Sequence, residues 1–191
     1  MTPTSTDTGG AGGKAGAFRG YSNFQVTALV GLRIFIGWHF FYEGLAKLLN
    51  PYWTSAGYLA ESQWWFKGWF LKIATSPSAL SVVDFLNVWG LILIGLGLML
   101  GLLARPAAIA GIVLLALYYI AAPPFAGYGY SIPAEGSYLV VNKVLIELVA
   151  LCVLLAFPTS KVFGLDGLVS FDKLMFWKRS RRPAATSQAH A

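Results

Sequence analysis

The sequence predicts an all-α membrane protein: a four-transmembrane-helix bundle with a short interfacial helical segment between spans one and two. Three observations predict it. Mean hydropathy is +0.62 and only 12% of the 191 residues are charged, about half the share typical of a soluble domain. The apolar residues fall in four blocks long enough to approach a bilayer's thickness. Between the blocks stand the breakers Asn50-Pro51, Arg105-Pro106, Pro123-Pro124 and Pro158, which end or start helices.

Span one is expected over Phe24 to Leu49. It carries Arg33, His39, Glu43 and Lys47. An ionisable group at the centre of an isolated spanning helix costs about 2.5–3.5 kcal/mol or more, so these four require partners, water or a function. The stretch Tyr52 to Ser78 is too polar to span and holds Trp53, Trp64, Trp65, Phe66, Trp69 and Phe70. It reads as one or two short helices at the headgroup level, where aromatic side chains concentrate. The same stretch could instead act as a lid over the bundle mouth.

Span two is expected over Leu80 to Leu103, polar at its start (Asp84, Asn87) and glycine-rich beyond. Gly97 and Gly101 form a GxxxG, a pattern that lets helix backbones approach closely and allows an oligomer without requiring one. Span three is expected over Pro106 to Ala122 and ends on Tyr118 and Tyr119. Span four is expected over Leu139 to Phe157, with Asn142, Lys143 and Glu147 in its first half.

The domain plan is a flexible tail over 1–23, a membrane domain over 24–157, and an interfacial segment with a basic tail over 158–191. The tail cluster Lys178, Arg179, Arg181 and Arg182 supplies much of the net charge of +6. Beside a span, such a cluster sets topology and touches anionic lipid, so nucleic acid is not the expected partner. The first 20 residues lack the apolar core of a signal peptide, and span one reads as an uncleaved anchor. Lysine and arginine counts at the two ends place both termini in the cytoplasm of a multi-pass protein of the cell inner membrane. Cys152 is the single cysteine, which excludes an intramolecular disulfide or a CxxC redox pair.

This topology brings polar residues of several spans to one depth in the outer half. His39, Glu43 and Lys47 follow each other at i,i+4 on span one, Asp84 and Asn87 share a face of span two, and Lys143 and Glu147 are i,i+4 on span four. With Asn142 they define the candidate polar site; Arg33, Tyr118 and Tyr119 are secondary. Two readings stay open. The cluster could hold the helices in register, or it could hold a ligand. A quinone headgroup would take donors from His39, Lys143 and the tyrosines, with Glu43, Asp84 or Glu147 as proton acceptors. A lipid headgroup would use the same groups. No metal site is expected, since one histidine with carboxylates at this spacing matches no ligand motif. No inverted repeat marks a transporter.

The segments GLRIFIGWHFFYEGLAKLL, NPYWTSAGYLAES, DFLNVWGLILIGLGLMLGLLARPAAIAG and VNKVLIELVALCVL resemble the DoxX family of small four-span membrane proteins, over about residues 24–157. The sharpest part is Arg33…Gly37…Gly44…Lys47. The resemblance implies a membrane partner of redox or detoxification systems; the related DoxD subunits belong to thiosulfate:quinone oxidoreductases that work with a second subunit. The expected function is therefore a redox-associated, quinone-interacting membrane subunit with a protein partner in a redox complex. The alternative is a non-enzymatic scaffold or assembly partner.

Overall fold

Helix α1 (Asn23–Leu49) begins in a capping box. The Ser22 hydroxyl accepts from the Gln25 N–H at 3.3 Å, and the Gln25 side chain accepts from the Ser22 N–H at 2.8 Å. Two otherwise orphaned helix donors are satisfied this way, one residue ahead of the expected start. The structure, a computed structural model, describes residues 22–125, 129 and 139–157. The expected N-terminal tail, the loop after Pro124 and the basic C-terminal segment lie largely or wholly outside the described residues.

After α1 come two short helices, α2 (Ala56–Ala60) and α3 (Lys67–Thr75), where a short helical segment was expected. Helix α4 (Pro77–Leu100) starts on a proline in its first turn and closes on Gly101 with φ 63°. Proline's missing N–H costs nothing at a helix start, and glycine is the residue that accepts the left-handed C-cap. Helix α5 (Ala104–Ala121) follows, with Pro106 again in the first turn. Helix α6 (Lys143–Ala156) is capped by Asn142, whose side chain accepts from the Leu145 N–H at 2.9 Å.

The four longer helices form a ring in chain order: α1 packs on α4, α4 on α5, α5 on α6 and α6 on α1. The core runs down its axis through Ile36, Phe40, Leu91, Leu98, Leu115 and Leu151. The α1–α4 seam is the tightest. A Cβ on Gly95 would lie 2.5 Å from the Phe41 backbone nitrogen, and one on Gly37 would lie 2.9 Å from the Gly95 carbonyl. One on Gly44 would lie 2.9 Å from the Ile92 nitrogen. Backbones this close exclude any side chain at these positions. The expected GxxxG therefore divides into two roles. Gly97 faces Ala107 across the α4–α5 seam, whereas Gly101 is a helix cap.

Helices α1, α4 and α5 are each long and apolar enough to cross a membrane. Helix α6 has 14 residues, about 21 Å at 1.5 Å per residue, against a hydrocarbon core of about 30 Å. Cys152 is exposed on it. Arg33 is buried, 4% exposed, rather than stretched along a lipid-facing surface towards an interface.

Candidate functional site

Towards the end where Tyr58 of α2 meets Tyr118, the helices do not fill the centre of the ring. A cavity of about 170 Å³ is left between the helices. Phe40, Leu91, Leu115 and Val144 form its apolar wall, and His39, Glu43, Lys47, Tyr118, Lys143 and Glu147 supply the polar groups. A volume of that order holds a single ring, as an engineered apolar cavity of about 150 Å³ holds benzene.

Helical spacing builds the polar side. His39, Glu43 and Lys47 lie one turn apart on α1, as do Lys143 and Glu147 on α6. The neighbouring stripe of α1, with Gly37, Phe40 and Gly44, is buried. One helix thus packs with one stripe and lines the cavity with the next.

Two hydrogen-bonded groups stand on opposite sides. In the first, His39 Nδ1 lies 2.8 Å from Glu147 Oε1 and joins α1 to α6. A carboxylate can only accept, so Nδ1 carries the proton. His39 Nε2 is buried with no hydrogen-bond partner among the described residues, an uncompensated polar atom of the kind native structures keep few of.

In the second, Lys47 Nζ donates to Asn87 Oδ1 at 3.2 Å and to the Tyr118 hydroxyl at 3.5 Å. Asn87 Nδ2 donates to the same hydroxyl at 2.6 Å. Lysine has only donors, which fixes the Asn87 amide with its oxygen towards Lys47. The Tyr118 oxygen therefore receives two hydrogen bonds, and its own O–H proton remains to be given to another acceptor. Lys47 also sits 5.2 Å from the Trp53 ring centre and 5.5 Å from that of Tyr118, near enough for cation–π attraction. Glu43 Oε2 is 3.9 Å away, a loose pair.

The candidate residues from the sequence divide accordingly. His39, Glu43, Lys47, Lys143, Glu147 and Tyr118 meet at the cavity; Asn87 stands behind it and orients Lys47 and Tyr118. Asp84, Asn142, Tyr119 and Arg33 are not among the lining residues. Asp84 receives the Thr54 hydroxyl at 2.8 Å, the Ser55 N–H at 2.9 Å and the Ser55 hydroxyl. It ties the connecting segment to α4. Asn142 caps α6, and Tyr119 donates to the Val140 carbonyl at 2.8 Å, which holds the approach to α6. Asn142 and Tyr119 sit at helix ends, where polar side chains complete backbone hydrogen bonding, and Asp84 sits two turns into α4.

Sequence reasoning missed Trp53 and Tyr58. Tyr58 donates to the Tyr118 carbonyl at 2.8 Å and packs edge-on against its ring. The signal was present in an aromatic segment directly following Lys47, but a general aromatic belt absorbed it. Among the described residues, no three His, Cys, Asp or Glu side chains gather as a metal site would need.

Three membrane-length helices and a shorter fourth around a charged cavity define a small multi-pass membrane protein. This chain belongs to the DoxX family: the family model matches residues 28–123, half of the chain. The match takes in α1 to α5, with His39, Glu43, Lys47, Asn87 and Tyr118, and ends before α6. No curated protein and no solved structure matches the chain.

Proposed function

We propose that the protein is a redox-associated membrane subunit that binds the headgroup of a quinone-type lipid in the central cavity. The observation that carries this reading is the cavity's composition. A one-ring space has an apolar wall on one side and, on the other, donors (Tyr118 O–H, Lys47, Lys143) and acceptors (Glu43, Glu147). A quinone ring packs on the first, and its two carbonyl oxygens take hydrogen bonds from the donors of the second. Reduction adds two electrons and two protons; a protein partner would supply the electrons, and the Glu43 and Glu147 carboxyls would relay the protons.

The same proposal has α6 complete a fourth crossing together with the residues that precede it, and has both termini on the cytoplasmic side of the cell inner membrane. Supporting the orientation, Arg105 lies at the α4–α5 turn, the end of the ring opposite α2 and α3.

The test is a titration of the reconstituted protein with a short-tailed benzoquinone, read by tryptophan quenching with Trp53 beside Lys47. The expected result is saturable binding, weakened about tenfold in Tyr118→Phe, Lys47→Met and Lys143→Met, because each loses a hydrogen-bond donor to the quinone carbonyl oxygens. Equal binding in all four proteins would end the quinone reading.

A scaffold role is favoured by one separate observation. Trp65 is 85% exposed, and Phe66 and Trp69 beside it are also exposed. They offer an aromatic surface to a partner protein or to headgroups. A stoichiometric partner captured in mild detergent by the native chain, and lost in Trp65→Ser with Trp69→Ser, supports this role. Capture that is unchanged in the double variant contradicts it.

A further inference from the structure

The cavity has walls of unequal quality. On the α4 and α5 side, Leu91 and Leu115 are almost fully buried, so that side is closed. At the end towards the connecting segment, Lys47 is covered by Trp53 and hydrogen-bonded to Asn87 and Tyr118, and its side chain is 18% exposed. The remaining side is the seam between α1 and α6, the most sparsely packed of the four.

Exposure along α1 shows where the opening lies. His39 is eight residues from Lys47, about 12 Å further along the helix from the covered end. If the cavity opened at that end, exposure would fall from Lys47 to His39. Instead the side chains of Glu43 and His39 are 46% and 36% exposed. Of these three side chains Lys47, at the covered end, is the least exposed and Glu43 the most, which places the opening beside α1 and not at that end. The His39–Glu147 hydrogen bond crosses the seam there, the Glu147 side chain being 12% exposed.

We infer that the cavity is entered sideways from the bilayer, through the seam between α1 and α6, with the His39–Glu147 hydrogen bond as its latch. The ligand class follows. It is an amphiphile that reaches the site dissolved in lipid, places a small hydrogen-bonding head between Glu43, Lys47, Lys143 and Tyr118, and leaves an apolar tail in the seam. A water-soluble metabolite without a tail has no direct path through hydrocarbon to this mouth. The inference deepens the headgroup reading above and concerns the route and shape of the ligand rather than its redox chemistry.

Carboxyl-specific carbodiimides test the route on the unmodified full chain in liposomes. Dicyclohexylcarbodiimide travels in lipid, and its cationic ethyl-dimethylaminopropyl relative travels in water. Peptide mass would report Glu43 as an acylurea or as an amide cross-link to a neighbouring lysine. Glu61, in the connecting segment between α2 and α3, serves as the control for the water-soluble reagent.

The expected result is that Glu43 reacts severalfold faster with the lipid-soluble reagent, while Glu61 reacts with the water-soluble one. Equal rates at Glu43, a faster rate with the water-soluble reagent, or no labelling by either would overturn the lateral entrance. The latch has its own readout. Glu147→Gln should raise lipid-side labelling of Glu43 about three- to twentyfold, the range that interhelical hydrogen bonds in membranes provide; an unchanged or lower rate removes the latch. Since labelling needs no quinone, a failed quinone titration with lipid-side labelling intact rejects only the redox reading.

Discussion

Helix α1 makes two seams of opposite kinds. Against α4 it offers Gly37 and Gly44, and α4 answers with Gly95, so that backbone meets backbone. Against α6 it offers His39 and Glu43, and α6 answers with Lys143 and Glu147 around a cavity. In lipid, helices gain nothing by hiding apolar surface from each other, so association rests on close packing and on hydrogen bonds. The first seam is close-packed at its glycines and leaves no space there, with the Lys47–Asn87 hydrogen bond at one end. The second relies on polar groups at separated points and leaves room for a ligand. A rigid seam on one side of a helix allows a loose one on the other.

The contrast can be broken hardest at the tight seam. In Gly95→Val, the new Cβ would meet the Phe41 backbone nitrogen at 2.5 Å, and neither backbone can yield without separating the helices. The expected loss is about 3 kcal/mol or more, read as a collapsed thermal transition in detergent. Next in size is Asp84→Ala. It removes the acceptor of the Ser55 N–H and of two hydroxyls, and Ser55 is buried. A loss of about 1–3 kcal/mol is expected. Hydrogen exchange should speed up in residues 54–62, and Trp53 should lose its place over Lys47, with little change in α6.

At the loose seam, effects on stability should be smaller. Glu147→Gln weakens one interhelical bond and should cost about 0.6–1.7 kcal/mol in the same melting experiment. Smallest of all is Gly90→Ala. A Cβ there meets nothing within 4 Å, so the change should stay within about 0.5 kcal/mol. If Gly90→Ala and Gly95→Val proved equally harmful, the glycine seam would not be what holds α1 to α4.

The sequence makes the helices legible because their breakers are strong: Asn50-Pro51, Pro77, Gly101 and Pro123 stand at or near the observed ends. The Ser22–Gln25 capping box was readable too, as an S-x-x-Q just ahead of an apolar run. Which glycines matter was not readable. Gly90, Gly95 and Gly97 look alike in the chain, and only the rotation of α4 turns Gly95 to α1 and Gly97 to α5. The polar site was legible on α1, where i,i+4 spacing forces His39, Glu43 and Lys47 onto one side. It was less legible on the other helices. Asp84 and Asn142 fit the expected depth, but each serves a backbone N–H group instead, Asp84 that of Ser55 in the connecting segment and Asn142 that of Leu145 in its own helix. Depth alone does not separate a cap from a site residue. Trp53 was invisible as a site residue because its role depends on how the chain folds back after Pro51.

The most direct measurement is a density map of the protein purified with its native lipids. The account predicts a small head among His39, Glu43, Lys47 and Lys143, with its tail leaving between α1 and α6. A cavity holding only water, with the α1–α6 seam closed, would contradict it.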